Sequence, residues 1–242
     1  MDLQKILNEG ITINSSGSSG PSKPFFQPPK KIRAANKVSR LVQGLTGNSR
    51  IYTVAKTGHA GGLFMQTLPG YEVGSRLKIE TFNAYDFVKE ITNHTHTVLT
   101  PKHIKAIMLT KGFRDLDLTG ITIVTGSDPV QWDIIETLVA KNCRLITTWG
   151  MSEIGPMAIT HTFNSIEEVN KIKEICPEGA TILGSNFHCE YKIENEELVV
   201  KGDICIFDDW YYTKDKAVEV NGILFYTGRT NLDVDFDNPM KG

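Results

Sequence analysis

No apolar run in this 242-residue chain approaches the length of a membrane span. The opening Met1-Asp2-Leu3-Gln4 has neither the basic nor the apolar region of a secretory signal. Charge of one sign is also missing. Lys and Arg total 26, Asp and Glu 28, and the net charge is −2, so there is no electrostatic case for nucleic acid or an anionic membrane surface. The one basic run, Lys30-Lys31-Ile32-Arg33, is short and reads as a solvated helix start. Cysteine is scarce. Cys143, Cys176, Cys189 and Cys205 form no C-x-x-C pair, which excludes a disulfide framework and a zinc site and fits reduced thiols in a cytoplasmic protein. Neither an internal repeat nor a Ser-His-Asp or Cys-His arrangement is visible. The length allows one large domain or two small ones.

What is present begins with a run of small residues and hydroxyls, Asn14-Ser15-Ser16-Gly17-Ser18-Ser19-Gly20-Pro21-Ser22-Lys23, after a short apolar stretch from Gly10 to Ile13. Glycine lets backbone N–H groups and a ligand approach closely, serine adds donors, and lysine adds a charge suited to phosphate. Such a loop can cradle a polyphosphate. It is not a Walker A loop, whose spacing differs, and a flexible Gly/Ser linker is the competing reading.

Downstream, strands and helices alternate. Leu3 to Leu7 predicts a short helix, Pro24, Pro28 and Pro29 an extended stretch, Ala34 to Leu45 a helix, and Arg50 to Ala55 a strand. A tight turn, Gly58-His59-Ala60-Gly61-Gly62, leads into a helical run from Leu63 to Leu68. Arg76 to Thr81, Thr95 to Leu99, Gly120 to Thr125 and Cys143 to Thr148 read as strands, with helices opening at Asn83, Pro101 and Asp128-Pro129 between them. Helices between strands predict βαβ units and a mostly parallel sheet with helices on both faces.

Beyond Thr162 the pattern changes. Ser165 to Ile175 is a charged helix. Phe187 to Ile193, Glu197 to Lys201, Ile204 to Phe207, Ala217 to Val220 and Ile223 to Tyr226 read as short antiparallel strands, with Asn221-Gly222 a hairpin signal. The expected organisation is an α/β core over residues 1–162, a small antiparallel β subdomain (a partial barrel) over 163–232, and a loose acidic tail over 233–242.

In open α/β sheets, ligands sit at the carboxyl ends of the strands. Thr125-Gly126-Ser127-Asp128 is one loop at such an end. Thr147-Thr148-Trp149-Gly150-Met151-Ser152-Glu153 is another, and offers an aromatic face, a close-approach glycine, a hydroxyl and a carboxylate in one turn. The aromatic can stack on a base, and the carboxylate can hold Mg²⁺ bound to phosphate oxygens. Taken singly, each residue also has a plainer reading: a buried Trp, a surface Glu, His59 packed in a turn, Asp215 on a solvated face beside Lys214 and Lys216, and Arg229 in a surface ion pair.

Together these stretches resemble the adenylate-forming superfamily of acyl-CoA synthetases, luciferases and nonribosomal adenylation domains. Ser15 to Lys23 resembles its phosphate loop, with Ser22 in the usual proline place. Gly58 to Leu63 is similar to its His-x-x-Gly stretch, and Gly126-Ser127-Asp128-Pro129 to its Gly-Gly-Glu-Pro loop. Trp149-Gly150-Met151-Ser152-Glu153 resembles Tyr-Gly-x-Thr-Glu, and Glu196 to Gly202 resembles Gly-Glu-Leu-x-Val-x-Gly. Tyr212-Thr213-Lys214-Asp215 is similar to Tyr-x-Thr-Gly-Asp, and Gly228-Arg229-Thr230-Asn231 to Gly-Arg-x-Asp. The order and spacing of these stretches cover nearly the whole chain.

The resemblance implies a carboxylate–CoA ligase type of chemistry, in which ATP and Mg²⁺ activate a small carboxylic acid to an acyl-adenylate with release of pyrophosphate. It implies that Ser15, Ser16, Gly17, Ser18, Ser19, Gly20 and Lys23 hold the β- and γ-phosphates. Trp149 would pack on adenine within a nucleotide site that includes Gly126, Ser127, Asp128, Gly150 and Met151. Ser152 would contact the phosphates, Glu153 would bind Mg²⁺, Asp215 would take the ribose hydroxyls, and Arg229 would lie near ribose or phosphate. Ser152, Glu153 and Lys23 are the expected catalytic residues; His59, Gly126 and Gly150 would line the acyl pocket, with the acyl substrate left open.

The chain also departs from the pattern. It starts almost at the phosphate loop and stops soon after Arg229, so it is expected to be truncated at both ends and to lack the C-terminal lid. Lys214 stands where the family has glycine, and Asn231 where it has the hinge aspartate. The resemblance therefore implies a thioester step with coenzyme A only if a lid domain, or an acyl carrier, acts in trans. The alternatives are a non-catalytic nucleotide-binding or scaffold remnant of such an enzyme, and a fragment of a longer one.

Overall fold

A computed structural model describes residues 1–14 and 23–230. The expectations for Ser15 to Ser22, for Asn231 and for the 233–242 tail lie outside these residues. In chain order the strands are β1 (Ile11–Asn14), β2 (Pro24–Gln27), β3 (Arg50–Thr53), β4 (Arg76–Ile79), β5 (His96–Leu99), β6 (Thr122–Thr125), β7 (Arg144–Met151) and β8 (Gly155–Phe163). They continue with β9 (Thr181–Gly184), β10 (Asn186–Phe187), β11 (Glu190–Glu194), β12 (Glu197–Lys201), β13 (Tyr211–Val220) and β14 (Ile223–Arg229). The main sheet has seven strands in the order β10-β8-β7-β6-β5-β3-β4. The neighbours from β4 to β7 run parallel, and β8 and β10 complete the sheet antiparallel. A second, five-stranded sheet is antiparallel throughout, in the order β11-β12-β13-β14-β9. β1 and β2 form a separate antiparallel pair. This is a mixed α/β architecture with a mostly parallel sheet, helices packed on it, and an antiparallel sheet beside it.

The central parallel strands are covered on both faces, as helices on either side require, while the edge strand β4 is partly exposed. β5 and β6 are buried along their whole length. One apolar core joins Leu145 and Phe163 of the main sheet to the helices Trp132–Val139 and Ile166–Ile175 and to Ile182 and Phe225 of the second sheet. The helix Pro29–Gln43 ends against this framework, with the Arg144 guanidinium donating to the carbonyls of Val42 (2.8 Å) and Gln43 (3.2 Å). These carbonyls would otherwise be orphaned at the helix end.

Several elements differ from expectation. β8, buried at eight of its nine positions, was not anticipated. It has no polar alternation to reveal it, and it begins with a glycine and a proline that read as loop. The helix expected from Asp128-Pro129 starts at Trp132, with Gln131 in the cap position. The expected strand from Ile204 to Phe207 does not form. Cys205 N instead donates to Gly202 O (3.0 Å) and Ile206 N to Glu153 O (2.9 Å), so the segment turns back under the β7–β8 connection. The stretch from Phe187 to Ile193 divides between β10 of the main sheet and β11 of the second. Asn221 (φ 52°) and Gly222 (φ 76°) make the β13–β14 hairpin turn with both central residues left-handed, as an Asn-Gly turn of this kind needs.

Candidate functional site

β7 carries Trp149, Gly150 and Met151 on the strand itself, not in a turn, and only Ser152, Glu153 and Ile154 make the reversal into β8. Register slips between Trp149 and Met151, where β7 faces β8. A Cβ on Gly150 would lie 2.2 Å from Gly155 O, so this crossing of two backbones admits glycine alone. The reversal is tied down from two directions: Gln27 Nε2 donates to Ser152 O (2.8 Å), and Glu153 O receives Ile206 N (2.9 Å).

Glu153 is thereby held with only 9% of its surface exposed. Burial pushes its carboxyl above the ordinary value. A hydrogen bond from its own backbone N–H and the nearby cations of Arg229 and Lys23 pull the other way. The reversal therefore places a desolvated carboxylate within the field of two cations drawn from remote parts of the chain.

The second sheet supplies the facing groups. Asp215 on β13 is the register partner of Arg229 on β14, and its Oδ1 lies 3.4 Å from Arg229 Nε. Its Oδ2 accepts the Trp149 indole N–H at 2.9 Å, which links the two sheets through one carboxylate. Asp215 is 8% exposed, which rules out the solvated-face reading. Burial raises its pKa most, against the pull of Trp149 and Arg229. Arg229 reaches further to Thr213 O at 3.4 Å. Between them, Lys214 adopts a left-handed backbone (φ 63°), the conformation that glycine takes without strain.

Gly126 also sits where backbones meet: a Cβ there would be 2.3 Å from Thr148 O. Ser127 then turns left-handed (φ 74°), and Ser127, Asp128 and Pro129 are exposed at the rim. A cavity of about 610 Å³ opens at the carboxyl ends of the parallel strands, within the size range of small-molecule sites. Trp149, Gly150, Met151, Ser152, Glu153, Asp215 and Arg229 line one end of it, and Ser127, Asp128 and His59 line it further along. The structure thus brings together the site residues expected from β7 through β14 with His59. Gly126 supports the wall from behind, and Lys23 acts on Glu153 through its charge.

Several lining or supporting residues were not anticipated. Lys56, just past β3, and His103, in the helix Pro101–Met108 after β5, both line the cavity. Gln27 supports Ser152 from β2. Tyr211, pushed up to about 12 chiefly by burial, lies within the field of Glu153, Arg229 and Asp215. The start of a helix at Pro101, directly after a parallel strand, was the available signal for His103. Nothing in the sequence marked Gln27.

Among the described residues no helix is long and apolar enough to cross a membrane, and no three His, Cys, Asp or Glu side chains cluster as a metal site. All four cysteines are free.

No curated protein matches the chain in sequence. Solved structures do match in fold. The structure of E. coli MenE with a bound analogue of OSB-AMS is 16% identical, with a TM-score of 0.68 over 90% of this chain and 47% of its own. The N-terminal domain of FACL13 from Mycobacterium tuberculosis is 18% identical, with a TM-score of 0.74 over 90% of this chain and 60% of its own. ATP-bound MatB from Rhodopseudomonas palustris is 15% identical, with a TM-score of 0.72 over 90% and 47%. The chain spans about half the length of MenE and MatB and three fifths of the FACL13 domain. Their likeness is one of fold. The family model described as AMP-binding enzyme matches residues 13–210, most of the sequence, including Trp149 to Glu153 but ending before Asp215 and Arg229. The chain belongs to the AMP-binding enzyme family.

Proposed function

We propose that the chain activates a small carboxylic acid with ATP, giving an acyl-adenylate and pyrophosphate. The observation that carries this reading is the convergence of Trp149, Glu153, Asp215 and Arg229, from three separate stretches, on one end of a single cavity. The rest of that cavity is free for a second reactant.

A carboxylate oxygen of the acid attacks the α-phosphorus. The new O–P bond forms as the bond to the bridging oxygen of pyrophosphate breaks, and pyrophosphate leaves with that electron pair. No protein nucleophile is needed, so the contribution of the chain is positioning and charge. Trp149 lies against the adenine, oriented by its N–H bond to Asp215. Asp215 keeps lone pairs for the ribose hydroxyls after serving Trp149 and Arg229. Arg229, with Lys23 and Ser15 to Gly20, offsets phosphate charge.

Glu153 suits Mg²⁺ in one respect, since it is a buried carboxylate whose charged form wants a cation. With no cluster of three ligating side chains among the described residues, the ion would take its remaining ligands from phosphate and water. When bound, it supplies charge neutralisation at the phosphates. His59 belongs to the acyl side of the reading, whereas Gly150 stands beside Trp149 at the nucleotide end and Gly126, expected to line the acyl pocket, supports the wall without lining the cavity. The acyl-adenylate is an electrophile for a thiol, so coenzyme A or an acyl carrier is the natural acceptor.

ATP–pyrophosphate exchange over a panel of carboxylic acids, with and without an added lid domain, tests the proposal. Carboxylate-dependent exchange is expected. Nucleotide binding with no exchange under any condition would overturn it and leave a nucleotide-binding protein without turnover.

A further inference from the structure

The two ends of the cavity differ in chemistry. Near Trp149 and Glu153 it presents the charged network described above. At the ends of β5 and β3, two and three strands away, it presents donors over an apolar floor of Ala60, Met65 and Val98. Strands lie about 4.8 Å apart, so this far wall stands roughly 10–14 Å from the β7 end.

His103 is set there as a fixed donor. It stacks on Phe82 with ring centroids 4.1 Å apart and planes 20° apart. It also closes the cap of its own helix: Thr100 Oγ1 accepts His103 N at 3.2 Å, and Nδ1 accepts Thr100 N at 3.4 Å. An Nδ1 that accepts a backbone N–H carries no proton in the neutral ring, so the proton sits on Nε2. Burial lowers the pKa of His103 and keeps the ring neutral near pH 7. Nε2–H has no protein acceptor among the described residues. Lys56, exposed, lines the same cavity from the tight turn that ends at Gly62, whose close packing against Lys56 O (2.3 Å from a Cβ there) fixes the backbone of that turn. Asp128, on the loop after β6, is exposed at the rim and offers acceptors only.

A long aliphatic tail would strip water from the half-buried His103 donor and give it no partner, which is costly, while the exposed Lys56 ammonium would gain nothing from it. A second carboxylate would pair with both, and a hydrogen bond to an ionised acceptor is the stronger kind. We propose that the acid taken by this site is a dicarboxylic acid. One carboxylate reacts beside Trp149 and Glu153, and the other is held at the far wall by His103 Nε2–H and the Lys56 ammonium. This rests on the adenylate-forming reading above, and it assigns Lys56 and His103 as specificity-determining residues.

The test is calorimetric binding, together with ATP–pyrophosphate exchange, of straight-chain and aromatic dicarboxylic acids against monocarboxylic acids of matched length and shape. The best diacid should bind at least tenfold tighter than its monoacid partner. Lys56→Met and His103→Ala should each abolish most of that preference while leaving monoacid affinity within about twofold. His103→Gln, which keeps an N–H donor, should restore part of it. Lys56→Met touches no helix cap or ring stack, so it carries the test if His103→Ala fails to fold. Equal binding of diacid and monoacid, or equal loss of both in the variants, would overturn the inference while monoacid-dependent exchange left the adenylation reading standing. Binding of diacids with no exchange for any acid would support the far-wall assignment and overturn the adenylation reading. Binding of no acid at all would overturn both.

Discussion

The near and far ends of the cavity are built on different principles. At the near end the groups are tied to one another: Asp215 serves Trp149 and Arg229, and Gln27 and Ile206 clamp the reversal that carries Glu153. At the far end Lys56 and His59 share the turn after β3 and His103 comes from the first turn of the helix Pro101–Met108, and the pairing of His103 is with its own helix cap and Phe82. A networked end suits a reactant that never changes, and a wall of independent donors suits one that can be exchanged by single substitutions. In the proposed reading the first is the nucleotide and the second is the acid.

Four substitutions or conditions would break or sharpen that contrast. The largest effect is expected from Glu153→Gln, which removes one charge at constant shape. Carboxylate-dependent exchange should fall by about 10²-fold or more, with the diacid-to-monoacid preference unchanged. A fall in exchange together with a lost preference would mean that the two ends are not separate.

Asp215→Ala comes next. It strips the partner from a partly buried guanidinium and from the Trp149 N–H, and should cost about 2–4 kcal/mol in denaturant unfolding. Asp215→Asn, which keeps an acceptor for the indole, should cost less. An equal loss for both would place the value of Asp215 in its charge alone.

Acid separates the ends by sign. The folded-state pKa of His103 is lowered by burial, as are those of His96, His161 and His188. Their contribution is present above the unfolded value of 6.5 and is lost as pH falls below it. Asp215 is raised, so its contribution is present below 3.8 and is lost as pH rises through its folded value. As pH falls from 7.5 to 5.5 the four histidines therefore act to destabilise the fold, and the raised carboxyls of Asp215 and Glu153 act in the opposite sense. Thermal unfolding should drop over that interval, and less steeply in His103→Gln.

The smallest effect is expected from Lys214→Gly. It relieves a left-handed backbone but adds chain entropy to the unfolded state, for a net gain of at most about 1 kcal/mol. That gain is measurable as a higher unfolding midpoint.

How much of this could be read beforehand divides along the same line. The near end was legible because its groups fall in short contiguous stretches, such as Trp149 to Glu153, whose chemistry is visible residue by residue. The parallel sheet was legible from its alternation with helices. β8 was not, because a strand buried on both faces has no period to detect and began at Gly155-Pro156. Lys56 and His103 stand 47 positions apart and line one cavity because β3 and β5 are neighbours in the sheet. That adjacency is a property of topology and of no local stretch. Gln27 reaches Ser152 across 125 positions for the same reason.

The most direct measurement follows a labelled oxygen. The chain, with added lid domain where needed, is incubated with ATP and an acid whose carboxylate carries heavy oxygen, and the nucleotide product is examined by mass spectrometry after the acyl group is captured by hydroxylamine. Attack of the carboxylate on the α-phosphorus predicts AMP bearing one labelled oxygen, and none in pyrophosphate. Unlabelled AMP, or ADP as the product, would contradict the account.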